Sequence, residues 1–195
     1  RNDKHVIEQV CEFYKIPNPS LKCELYLTDE ENAKVDNILE GFGDFIAIEP
    51  HAKNSYTVNK EYSFEKWQNV VDAISKHVQV VQVGNKKERI LDNVVSLVGE
   101  TSFREAAGII GEAQLFMSTE GGLVHAATAV DTKSLVIMTG FGDPKLWSYP
   151  QNINIFIGKH GPCGLKIPCS DCLSDVREHD EREIINAALA YLGVQ

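Results

Sequence analysis

A glycine pair and a histidine follow an acidic residue in the stretch Thr119–Val130, which reads TEGGLVHAATAV. Gly121 and Gly122 allow close backbone approach, and the free N–H groups of a helix that begins there favour an anion by about 0.3–1 kcal/mol. His125 lies one turn into that helix and can reach the same anion. Glu120 repels phosphate, but its carboxylate suits sugar hydroxyls. The combination predicts a nucleotide-sugar site; the alternative is a plain tight turn and an ordinary helix histidine.

The segments around these residues predict one strand–helix–strand unit. A short apolar run ends at Ser118, a second one covers Ser134–Thr139, and the turn Gly140–Pro144 closes the unit. The glycines therefore lie where the carboxyl end of a strand meets the amino end of a helix. Ligands of open α/β sheets bind at that place, so the local pattern and the predicted topology indicate the same site.

Apolar strands and amphipathic helices alternate over residues 45–157, which predicts an α/β fold with a Rossmann-like, doubly wound parallel sheet. Residues 1–43 are predicted to form a helical lead-in segment, and residues 44–195 the binding domain. The strands are expected at Phe45–Glu49, Val78–Val83, Val94–Val98 and Ile153–Ile157, besides the two of the central unit. A loop is expected over His160–Cys172, and a final helix over Asp180–Leu192.

Charge and composition exclude several classes of function. The 195 residues carry a net charge of −9 and no basic cluster, so we expect no nucleic-acid partner. No apolar run approaches the about 18 residues of a membrane-spanning helix. Five cysteines, three of them in one short segment, fit a reduced cytoplasmic protein better than a disulfide framework. The chain begins at Arg1, without a methionine, which suggests a piece of a longer protein.

The central stretch also resembles the signature of glycosyltransferase family 9, the heptosyltransferases of lipopolysaccharide synthesis. The family pattern has an aspartate, a small polar residue, a glycine and, three residues later, a histidine, before an alanine-rich helix, a strand and a G-x-x-D-P turn. Glu120, Gly121, Gly122 and His125 stand at the four positions, and Gly140–Pro144 stands at the turn. Glutamate for aspartate and glycine for serine or threonine are the departures.

The resemblance implies a single half of a GT-B enzyme, the carboxyl-terminal half that holds the donor. Its reaction would be an inverting sugar transfer that needs no metal, from a nucleotide-diphosphate sugar similar to ADP-heptose. The acceptor, a glycan or lipid, and the catalytic base would belong to an amino-terminal domain, so no catalytic residue is assigned within this chain. The implied location is the cytoplasm, with peripheral contact to the inner face of the bacterial inner membrane.

The resemblance assigns further donor contacts to two loops. Lys60, before the helix that carries Trp67, would neutralise the diphosphate leaving group. Lys53 and Asn54 share its loop, and Glu88, after the next strand, would bind the donor ribose. Judged from the sequence alone, Lys60 is better explained as a solvated surface lysine, and Glu88 can be explained as a solvated charge.

A cysteine-bearing segment has the character of a metal site. His160, Cys163, Cys169 and Cys172 offer four ligands within one short stretch, a set that suits zinc or iron. Several family members have a cysteine cluster here, with a cysteine where His160 stands. The alternative is three free thiols in a reducing compartment.

Two other functions are compatible with the sequence. One is a non-catalytic Rossmann-like domain that binds a nucleotide. The other is a different GT-B enzyme, such as a nucleotide-sugar epimerase.

Overall fold

The computed structural model describes residues 3–52 and 56–194. Within these ranges six parallel strands form one sheet in the order β3-β2-β1-β4-β5-β6. The strands are β1 Phe45–Glu49, β2 Gln79–Gln82, β3 Val95–Ser96, β4 Phe116–Thr119, β5 Ser134–Met138 and β6 Ile153–Phe156. The order reverses between β1 and β4, which confirms the predicted Rossmann-like, doubly wound sheet.

The helices cover both faces of this sheet. They are α1 Val6–Phe13, α2 Asp29–Ile38, α3 Phe64–Ile74, α4 Phe103–Gly111, α5 Gly122–Ala129, α6 Pro144–Trp147, α7 Ser170–Glu178 and α8 Arg182–Leu192, with a 3₁₀ turn at Val58–Lys60. Capping boxes begin two of the helices: Thr28 and Glu31 begin α2, and Ser102 and Glu105 begin α4. The Ser63 side chain caps α3.

The core consists of two apolar layers, one on each side of the sheet. Alternate residues of β1 point to opposite layers: Phe45 and Ala47 pack with α4 and α5, while Ile46 and Ile48 pack with α3 and α8. Burial on both faces explains why the central strands read as continuous apolar runs rather than as alternating patterns.

The lead-in segment packs closely on α4. Val35 of α2 is buried in the same layer as α4, and a Cβ atom at Gly108 would lie 2.8 Å from the Val35 and Leu27 side chains. Lys34 pairs with Glu105 at 2.7 Å, and Arg104 pairs with Glu31. Gly108 is therefore needed for the close approach of α2.

Two elements differ from the sequence expectation. The expected loop over His160–Cys172 ends early, because α7 begins at Ser170 and carries Cys172. This helix has only Cys172 and Asp175 buried, so it lacks the apolar stripe by which a helix is recognised in sequence. β3 has two residues instead of the five expected.

Candidate functional site

A cleft of about 440 Å³ opens beside the carboxyl ends of β1 and β4, where the strand order reverses. The chain leaves β1 towards α3 on one face and leaves β4 towards α5 on the other, so the two connections separate. The cleft is lined by residues that include Glu49, His51, Glu88, Ser102, Gly121 and Gly122. Three sequence-predicted residues, Glu88, Gly121 and Gly122, therefore line one cavity.

The glycine pair forms the amino end of α5 at this cleft. Gly121 is the N-cap, and among the described residues no side chain caps the first turn. A Cβ atom at Gly122 would lie 3.6 Å from the Phe103 ring, and one at Gly121 would lie 3.8 Å from the Thr119 carbonyl oxygen. The uncapped N–H groups can bind an anion, and the absence of side chains leaves the approach to them open.

His125 lies behind the glycines and contacts Tyr149. Its Nδ1 lies 2.7 Å from the Tyr149 hydroxyl, which is also 3.2 Å from the Cys23 thiol. Burial lowers the pKa of His125 and raises the pKa of Tyr149, which favours the uncharged form of both, and either group can donate the hydrogen bond between them. The contact with Tyr149 engages Nδ1, so Nε2 is the ring nitrogen that can contact a ligand.

Lys60 and Glu120 form an ion pair, with side chains 20% and 13% exposed. The Lys60 ammonium also lies 5.1 Å from the centre of the Phe141 ring. Both residues line a hollow of only about 10 Å³ beside the main cleft, which is about the size of one water molecule. The ion pair and the small size of the hollow mean that a sugar or phosphate reaching either residue would compete with, or share, this pair.

A histidine–carboxylate network shapes the wall of the cleft after β1. His51 places Nδ1 at 3.1 Å from Glu61 and Nε2 at 3.2 Å from the Arg89 carbonyl. Both partners are acceptors and the Glu61 carboxylate raises the pKa of His51, which together favour a protonated ring that donates from both nitrogens. The Ala52 N–H donates to the second Glu61 oxygen at 2.8 Å. Lys53 and Asn54 of the same loop lie outside the described residues.

Glu88 follows β2 and accepts hydrogen bonds within its own turn. It accepts hydrogen bonds from the Asn85 backbone N–H at 2.9 Å and from the Asn85 amide at 3.1 Å. Gly84 must be a glycine here, because its φ is +156° and a Cβ atom would lie 2.0 Å from the Glu88 carboxylate. Glu88 also lines the cleft.

Three of the four predicted metal ligands lie together. The Sγ atoms of Cys163, Cys169 and Cys172 lie within 4.8 Å of one another. The amino end of α7 lowers the pKa of Cys169 through the Cys172 and Asp171 N–H groups, which favours a thiolate. His160 is placed elsewhere: its Nδ1 lies 3.3 Å from the buried Asp175 carboxylate.

Asn59 connects the Lys60 segment to the cysteine segment. Its amide donates to the Leu165 and Ile167 carbonyls at 2.7 and 2.8 Å, and its Oδ1 accepts from the Cys169 N–H at 2.8 Å. The Asn59 carbonyl also accepts from Thr139 at 2.7 Å. Sequence reasoning gave Asn59 no role, since asparagine before a lysine carries no signal; only its burial reveals the role.

Comparison with known proteins identifies relatives of this structure. A family model described as glycosyltransferase family 9 (heptosyltransferase) matches residues 4–169. A search of curated proteins finds no match.

Several solved structures share the fold. A family 9 glycosyl transferase from Veillonella parvula DSM 2008 has a TM-score of 0.75 at 13% identity, covering 98% of this chain and 61% of that chain. ADP-heptose lps heptosyltransferase II of E. coli has a TM-score of 0.65 at 17% identity, covering 92% and 56%. The dodecameric iron-containing heptosyltransferase TibC, in complex with ADP-D-beta-D-heptose, has a TM-score of 0.62 at 12% identity, covering 76% and 45%. The chain thus spans 45–61% of the length of these three relatives.

In the described part of the chain, no helix combines the length and the apolar character that crossing a bilayer requires.

Proposed function

Because the chain belongs to glycosyltransferase family 9, we propose that it binds the donor of an inverting sugar transferase of cell-surface glycan synthesis. The donor would be a nucleotide-diphosphate sugar similar to ADP-heptose. The observation that carries the proposal is the cleft at the β1–β4 switch point, which ends on the uncapped amino end of α5. A diphosphate matches those free N–H groups in charge and hydrogen bonding.

Two relatives support the choice of donor. One is named an ADP-heptose heptosyltransferase, and another holds ADP-D-beta-D-heptose in its structure. The family match also favours a transferase over a non-catalytic nucleotide-binding domain or an epimerase.

Each cleft residue has a distinct proposed role. The N–H groups of Gly121 and Gly122 bind the diphosphate, and Glu88 binds the ribose hydroxyls. Glu120 contacts the transferred sugar, which releases Lys60 from its ion pair. The freed ammonium then neutralises the charge that develops on the departing diphosphate. The acceptor, a glycan or lipid, would be bound outside this chain, in the cytoplasm and beside the inner face of the bacterial inner membrane.

Calorimetry with ADP, UDP, GDP, CDP and the matching sugars tests this function on the chain itself. We expect ADP and an ADP-sugar to bind more tightly than the other nucleotides. A chain that binds no nucleoside diphosphate, while remaining folded, would contradict the proposal.

His125→Ala is expected to weaken ADP binding by about 1–3 kcal/mol, the scale of a lost charge-assisted hydrogen bond. Tyr149→Phe is the matched control, because it removes the 2.7 Å contact with Nδ1 but keeps the imidazole. Calorimetry should show a larger loss for His125→Ala than for Tyr149→Phe. Equal losses would mean that His125 acts only by supporting the fold.

Glu120→Gln is expected to change affinity for the ADP-sugar more than for ADP. The carboxamide keeps the shape of Glu120 but cannot accept from sugar hydroxyls on both oxygens. Titration of both ligands into the variant measures the difference. Equal changes would remove Glu120 from the sugar site, and tighter binding of both would show that the carboxylate only repels phosphate.

We further propose that Cys163, Cys169 and Cys172 hold one zinc or iron ion. Their sulfur atoms are close enough to share an ion, and thiolates are ligands for both metals. The iron-containing heptosyltransferase TibC, which shares the fold, supports the idea. The ion would stabilise the cysteine segment and α7, and the transfer itself needs none.

Elemental analysis of protein purified without chelator should give about one equivalent of zinc or iron. Cys163→Ser is expected to lower that content, whereas Cys11→Ser, at a free cysteine remote from the cluster in sequence, should leave it unchanged. Three readily modified cluster thiols and no transition metal would contradict the metal site.

A further inference from the structure

Glu49 occupies the floor of the cleft at the point where the sheet order reverses. It is the last residue of β1, and it lies in register with Ser118 of the neighbouring strand β4. It lines the same cavity as Gly121 and Gly122, the groups assigned above to the diphosphate. A negative charge at Glu49 would therefore face the ligand's own negative charges.

The groups around Glu49 are mostly acidic. Glu88 faces it from the turn after β2, Glu61 from the loop before α3, and His51 from the loop after β1. His51 is the one cation of this set, and it is already paired with Glu61. Within residues 3–52 and 56–194, no salt bridge involves Glu49.

These surroundings favour the neutral form of the Glu49 side chain. Burial, followed by the charge of Glu88, raises the pKa of Glu49 to about 8, while His51 opposes the shift. Near neutral pH the residue is therefore an uncharged acid. An uncharged carboxylic acid is a hydrogen-bond donor, and an ionised one is not.

We propose that Glu49 enters nucleotide-diphosphate binding as a neutral acid whose O–H donates to the ligand, so that binding takes up one proton from solvent wherever Glu49 is ionised. This inference rests on the proposed donor function. The ligand's negative charge adds to that of Glu88 and favours the protonated form further. The protein has a net charge of −9 and the cleft is acidic. A neutral Glu49 would allow this cleft to bind an anionic ligand.

Calorimetry with ADP at pH 7.5 and 9.5 tests the proposal, each in two buffers of different ionisation enthalpy. Linkage to one proton predicts that the Kd of the wild-type chain rises about tenfold or more over this range, with proton uptake at pH 9.5. In Glu49→Gln the ratio of the two Kd values should fall below about twofold. Glu112→Gln, an exposed carboxylate at the far end of α4, should keep the wild-type ratio.

A second variant does not require Glu49 to be replaced. Glu88→Gln removes the neighbouring charge, which lowers the pKa of Glu49. The loss of ADP affinity should then begin at lower pH than in the wild type.

Each other outcome overturns the inference. A pH slope that persists in Glu49→Gln would assign the titration to another group, such as His51. ADP binding without proton uptake would overturn the role of Glu49 and leave the donor function intact, whereas a chain that binds no ADP at either pH would overturn both.

Discussion

The chain as given is expected to bind an ADP-sugar but to transfer the sugar at least about 10²-fold more slowly than a protein that also contains the acceptor-binding part. Transfer needs a base within reach of the acceptor hydroxyl, and a missing base costs about 10²–10⁴-fold in rate. Loss of acceptor orientation slows the reaction further. The relatives are longer: this chain spans 61% of one and 56% of another.

The residues of the donor site are poor candidates for the base. Lys60 is a cation paired with Glu120, and the two ring nitrogens of His51 are already engaged by Glu61 and Arg89. His125 has Nδ1 occupied by Tyr149. If the site binds the donor as proposed, these contacts leave it able to hold the leaving group but without a group that is available to deprotonate an acceptor.

A coupled assay of ADP release, with and without acceptor, measures this deficit. The comparison requires the chain alone, a longer family member, and the chain supplemented with the separate acceptor-binding part, which should restore transfer. If the chain alone were as fast as the longer protein, the assignment of a donor-binding half would be wrong. The base would then have to be sought among Glu49, Glu120 and His51.

The fold could be predicted from the sequence because short local patterns indicate its strands and helix starts. The central strands are apolar runs, and pairs such as Ser102 with Glu105 define where helices begin. α7 was missed because its sequence is polar, and its position depends on two buried side chains rather than on a stripe.

The site was only partly readable, because its interactions join distant parts of the chain. The glycine pair follows from local pattern and lines the cleft as the topology requires. The pairing of Lys60 with Glu120 and the environment of Glu49 depend on β1 lying beside β4, which becomes visible only in the assembled sheet. The sequence spacing groups His160 with the cysteines. Spacing cannot show that the His160 ring contacts the Asp175 carboxylate instead.

Asn59→Leu is expected to lower the free energy of unfolding by about 3–5 kcal/mol. The side chain is almost fully buried, and it satisfies two carbonyls and the buried Cys169 N–H. Leucine has similar volume but no polar atoms, and each buried group left without a partner costs about 1–3 kcal/mol. Urea denaturation measures the change. Asn69→Leu is the matched control, because Asn69 is exposed and makes one hydrogen bond, to Glu181.

The same substitution should also loosen the cysteine cluster, because Asn59 positions the Cys169 backbone at the start of α7. Reaction of Cys163, Cys169 and Cys172 with a thiol reagent should be faster in Asn59→Leu than in Asn69→Leu. Asn59→Asp separates the two effects: it keeps the Oδ1 acceptor for Cys169 but loses the amide donor to Leu165 and Ile167. A loss of stability below about 1 kcal/mol, with unchanged thiol reactivity, would show that the Lys60 segment and the cysteine segment are held together by other contacts.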